Sequence, residues 1–135
     1  MIDHRRHIEV AIEAAKEAGA IQMAYFGQSQ SVTYKGAFDP VTDVDRLCDQ
    51  AIQKKIHHHF PDHDLLTEES PFKEKGSPWR WIVDPMDGTT NYARGFPFFS
   101  VSIGLELEGE VRLGVVYLSL IHISEPTRLL SISYA

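Results

Sequence analysis

The hydrophobic pattern of this chain changes period once, just after Pro61, and that change limits the folds open to it. Before that point apolar residues recur at helical spacing. Between about Asp3 and Phe26, Ile8, Ala11, Ala15 and Ala18 fall on one helix face, and Gly27 stands where a C′ glycine would end it. Residues 28–41 read as a loop with Gly36 and Pro40 as breakers. A second helix is expected from Thr42 or Asp43 to about His59. Its apolar stripe is Val44, Leu47, Cys48, Ala51, Ile52 and Ile56, and Pro61 stops it.

After Pro61 the pattern becomes that of strands. Leu65–Thr67 is a short apolar run ending in Glu68-Glu69, and a polar loop with Pro71, Gly76 and Pro78 follows. Trp79–Val83 is aromatic and β-branched, which predicts a buried strand. Phe99–Leu107 alternates, with Val101, Ile103, Leu105 and Leu107 on one face. Glu108-Gly109-Glu110 offers a turn, and Val111–Tyr117 alternates again, so a hairpin is expected. Two helices followed by several strands point to an α+β arrangement rather than a βαβ series. No GxGxxG or P-loop supports nucleotide binding.

Composition narrows the function classes. With 43% hydrophobic and 24% charged residues among 135, the chain is no disordered segment, but it is short for a complete two-layered enzyme. A net charge of −6 leaves no basic footprint for nucleic acid. The single cysteine, Cys48, excludes an internal disulfide framework and fits a reducing compartment. Without a signal-like start or a membrane-length apolar stretch, cytoplasm is the expected location and no membrane is a partner.

The informative side chains are oxygen donors at the ends of expected strands. Glu68 and Glu69 follow one such run. Asp84 follows Trp79–Val83, and Asp87 comes three residues later across Pro85-Met86. A tight turn there, with φ fixed at Pro85 and close approach permitted at Gly88, would aim both carboxylates and the Met86 carbonyl into one small volume. Crowded like charges need a cation, and Mg²⁺ takes carboxylate, carbonyl and water oxygens. Asp, Gly, Thr and Asn are equally the residues of an ordinary helix-capping turn, so the residues alone leave these two readings balanced.

The string WIVDPMDGTTNYARGFPFFSVSIGL resembles the central signature of the inositol monophosphatase family. KGAFDPVTDVD (Lys35–Asp45) and LLTEES (Leu65–Ser70) resemble its two upstream segments, in order and at matching spacing, so the likeness spans about residues 5–117. It implies a layered αβαβα sugar-phosphatase fold, of which this chain is the N-terminal part only. It implies an Mg²⁺-dependent phosphoric monoester hydrolase acting on a small inositol or sugar phosphate by in-line attack of cation-activated water, and a homodimeric full-length parent. Carried over by the likeness, Glu68, Asp84 and the Met86 carbonyl bind a first cation. Asp84 and Asp87 contribute to a second, together with an aspartate from the second half. Asp45 and Thr89 position and deprotonate the water. Gly88 and Thr89 amides hold phosphate oxygens. Lys35 and Asp39 lie on a loop near the site. Sister activities remain open: 3′(2′),5′-bisphosphate nucleotidase, fructose-1,6-bisphosphatase and histidinol phosphatase, as does a non-catalytic fragment or interaction module.

Other features carry plainer readings. His57-His58-His59 point in different directions on a helix and are expected as solvated helix-end residues. Cys48 lies on the apolar stripe and is expected as core, not nucleophile. Trp79 and Trp81 are expected in core packing rather than base stacking. Glu69 should face away from Glu68 and take an outer role.

Beyond Gly114–Tyr117 the likeness fades into LSLIHISEPTRLLSISYA. Leu118–Arg128 resembles a one-frame translation of a transposase-type sequencing adapter, with Ile132–Ala135 matching its flanking primer. Residues 1–117 are therefore expected to be the N-terminal metal-binding part, and 118–135 a non-native tail whose regular structure, if any, would reflect generic hydrophobicity. Without further strands, Val111–Tyr117 would be an apolar edge.

Overall fold

The computed structural model describes residues 4–27, 40–67, 75–119 and 130–133. Helix α1 (Arg5–Tyr25) ends before Gly27, whose φ of 89° is the left-handed geometry expected of a C′ glycine. Helix α2 (Pro40–His59) begins earlier than expected, because proline is compatible with a helix's first turn, where its missing N–H is no loss. The stripe of α2 is narrower than its sequence suggests. Val44, Cys48, Ile52 and Ile56 are buried, while Leu47 is 40% exposed.

Strands β1 (Asp64–Thr67), β2 (Trp79–Asp87), β3 (Ser100–Leu107), β4 (Glu110–Leu118) and β5 (Leu130–Ser133) form one sheet in that spatial order. Only β1 and β2 are parallel. Glu108 and Gly109, both at positive φ, make the two-residue turn whose twist suits a β3–β4 hairpin. The expected edge at Val111–Tyr117 is corrected over part of its length: β5 pairs with Gly114–Tyr117 of β4.

Helices α1 and α2 pack on one face of the sheet. There Val10, Ala11, Ala14 and Ala18 meet Trp81, Val83, Val101, Ile103, Leu105, Leu113, Val115 and Tyr117 in a single core. Gly19 lets the layers close, since a Cβ at that position would lie 2.3 Å from the Tyr117 ring. Cys48 belongs to this core; burial, with Asp45 and Asp49 adding to it, pushes its thiol up to about 12, so it is no nucleophile. Among the described residues no helix is long and apolar enough to cross a membrane.

The tryptophans pack as expected of core, in a stack of rings at the start of β2. His7 lies 4.8 Å from Phe60 and 4.6 Å from Trp79, and His63 lies 4.7 Å from Phe60. Trp81 Nε1 donates to His63 Nδ1 at 2.9 Å, so that nitrogen carries no proton. Burial first, then His7, pulls His63 down from 6.5 to about 4, against the opposing Asp62 and Asp64. Between those values the unfolded chain takes up a proton that the fold excludes. Stability from this group is therefore complete above pH 6.5 and lost as pH falls toward 4. The loss is expected to be about 1 kcal/mol after allowing for solvent screening. His63→Gln keeps an acceptor for Trp81 but does not titrate; thermal midpoints measured across this window should fall less steeply in that variant.

Candidate metal site

Strand β2 does not stop at Val83, and the Asp84–Asp87 segment is not the tight turn expected from its residues. It remains in the sheet as a bulge: Asp84 pairs with Ser102 and Asp87 with Ser100, which sets two residues, Pro85 and Met86, opposite one, Val101. The bulge decides the chemistry. On a regular strand, residues three apart face opposite sides; one extra residue restores the phase. Burial follows suit, with Trp81 and Val83 turned to the core, Ile82 outward, Pro85 and Met86 both buried, and Asp87 exposed again. Half-buried Asp84 and exposed Asp87 thus share the face of the sheet away from α1 and α2. The Asp84 carboxylate accepts from the Met86 N–H at 3.2 Å, a short-range bond that limits its rotation.

Gly88, at φ 94°, turns the chain out of β2 and caps helix α3 (Thr89–Arg94). A Cβ there would lie 2.8 Å from the Phe98 carbonyl, so only glycine fits both the dihedral and the space. Asn91 donates to that same carbonyl at 3.0 Å, closing α3 against the entry to β3. Beside this corner is a depression of about 400 Å³ lined by Asp87, Gly88, Asn91, Phe98 and Ser100.

Asp45 is buried on α2; burial first, then Cys48 and Asp45, raises the Tyr92 phenol on α3. Thr89 and Tyr92, three residues apart, share one side of α3. The helix that carries Asp45 packs against the short helix that Thr89 opens. Met86 turns its side chain into the core, leaving only its backbone as a possible donor. Glu68, its neighbour Glu69, Lys35 and Asp39 lie outside the described residues. Among those described, no three metal-ligating side chains gather in one place. Asp84, Asp87 and the Met86 carbonyl are all hard oxygen donors on one short segment, and that donor set fits a small divalent cation rather than a soft metal.

Sequence reasoning missed Gln22. It is fully buried, one helical turn beyond Ala18 on the core face of α1, and donates to the Pro85 carbonyl at 2.9 Å and the Ser100 carbonyl at 3.3 Å. The signal was available: a polar side chain at a core position must find partners. His59, at the end of α2, makes an exposed contact with Arg6, with 3.1 Å between Arg6 Nη2 and His59 Nδ1.

Comparison with known proteins places this geometry in a family context. Residues 3–124 match the sequence model of the inositol monophosphatase family. The chain is 44% identical over 115 residues to inositol monophosphatase 3 of Solanum lycopersicum, which covers 82% of this chain and 42% of that protein. It is 40% identical over 116 residues to the fructose-1,6-bisphosphatase/inositol-1-monophosphatase of Aquifex aeolicus, covering 84% and 44% respectively. A crystal structure of the extragenic suppressor protein suhB from Bartonella henselae superposes with a TM-score of 0.75 at 34% identity, over 85% of this chain and 44% of that one. The chain thus spans less than half the length of these relatives.

Proposed function

The chain belongs to the inositol monophosphatase family, and from that premise we propose that its full-length parent is an Mg²⁺-dependent phosphatase hydrolysing an inositol or sugar phosphomonoester. The observation that carries the reading is the bulge in β2, which sets Asp84 and Asp87 on one face next to the glycine corner.

Asp84, Asp87, the Met86 carbonyl and Glu68 would hold the cations. Bound Mg²⁺ supplies Lewis-acid stabilisation of phosphoryl charge and lowers the pKa of water. The remaining work falls to the protein's own groups. Asp45 and the Thr89 hydroxyl orient the attacking water and accept its proton. The Gly88 and Thr89 amides would hold phosphate oxygens at the corner that only glycine permits. The depression beside Asp87 and Asn91 leaves room for the ester. The parent acts as a homodimer in the cytoplasm. Likeness to the bifunctional Aquifex protein favours a sugar bisphosphate as the second substrate class.

Thr89→Ala in the chain completed by its native continuation tests the water-positioning role. We expect kcat to fall by about 10²-fold or more, the range for general acid–base groups, with Mg²⁺ affinity little changed. Collapsed metal affinity with normal kcat at saturating Mg²⁺ would place Thr89 among the ligands instead.

A further inference from the structure

A bulge leaves ladder groups without their regular partners, and here one side chain takes them up. The Gln22 amide nitrogen spans the two strands, donating to Pro85 within the bulge and to Ser100, which pairs with Asp87. Both acceptors are carbonyls, so the NH₂ end of the amide must face them. The oxygen end is fixed in turn by the Ser119 hydroxyl, 2.5 Å from Gln22 Oε1. The Tyr92 hydroxyl donates to the Gln22 main-chain carbonyl at 2.8 Å, which ties α3 to the same turn of α1.

The peptide joining Pro85 to Met86 is held from both ends. Its carbonyl accepts from Gln22, and its N–H donates to the Asp84 carboxylate. In a trans peptide these two groups point in opposite directions, so fixing one aims the other. Gln22 thereby acts through a single rigid plane on the carboxylate on the sheet's far side. We propose that Gln22 is a positioning residue for the cation site, holding the Pro85–Met86 peptide so that Asp84 keeps one orientation. The proposal rests on the cation-binding reading above and names a residue from outside the motif that suggested it.

Mg²⁺ titration of the chain completed by its native continuation, by calorimetry well below the thermal midpoint of each variant, tests it. Gln22→Met keeps length and volume but removes the donor. It should weaken Mg²⁺ binding by about tenfold, as loss of an orienting partner does, and speed hydrogen exchange of the Met86 amide. Gln22→Asn, which keeps an amide but shortens its reach, should weaken binding in the same direction. A lowered midpoint with unchanged Mg²⁺ affinity would show a purely structural role and overturn the proposal. Should Gln22→Met fail to fold, unchanged affinity in Gln22→Asn overturns it equally. Asp84→Asn separates the two readings. If it abolishes binding while both other variants bind normally, only the role of Gln22 fails. If it binds Mg²⁺ as the unaltered chain does, or the unaltered chain binds none, the cation reading and this proposal fall together.

Discussion

Asp84→Asn, in the chain completed by its native continuation, is expected to abolish Mg²⁺-dependent phosphate release. The substitution keeps shape and removes the charge that we propose both cations share, so the Met86 N–H bond at 3.2 Å can survive while that electrostatic role cannot. The expected loss is about 4 kcal/mol or more of transition-state stabilisation, roughly a thousandfold or more in kcat. Circular dichroism and the thermal midpoint should stay close to those of the unaltered protein, because Asp84 is half-buried on the open face rather than part of the core. Turnover within a few-fold of normal would remove Asp84 from the mechanism.

The second large effect concerns the chain of 135 residues itself, which we expect to release no measurable phosphate from inositol-1-phosphate and to self-associate. Its helices cover one side of the sheet. On the other side Leu66, Ile82, Val111, Val116 and Leu118 are each at least 36% exposed, around the paired Gly104 and Gly114. Apolar area of this kind, next to two clustered carboxylates, favours association. The hazard therefore lies on the sheet face more than on the β4 edge, which β5 pairs along part of its length. Replacing Leu118 onward with a family-like second half should restore Mg²⁺-dependent hydrolysis and a single species in sedimentation. Equal activity in the two proteins would show that 118–135 is no foreign tail and that the site is complete without a second half.

What the residues alone determined were the elements and their polarity. Helical spacing from Ile8 to Ala18 and from Val44 to Ile56, and alternation from Val101 to Leu107 and on to Tyr117, are local patterns, and local patterns survive without knowledge of partners. Gly27, and the Glu108-Gly109 turn, were legible for the same reason: a positive φ is a demand on one or two residues. The Asp-Pro-Met-Asp string offered oxygen donors but left a cation site and an ordinary capping turn balanced. Its shape was another matter. Pro85 and Gly88 signal a turn in any local reading, yet β3 offers Ser100 and Ser102 as partners and draws the segment into the sheet, so the strain resolves as a bulge. Only that pairing puts Asp84 and Asp87 on one face, and only the packing of α1 on the sheet brings Gln22, 63 residues away in sequence, to the Pro85 carbonyl. Leu47 stayed exposed because the width of a buried stripe depends on the neighbour it meets, not on the helix that carries it.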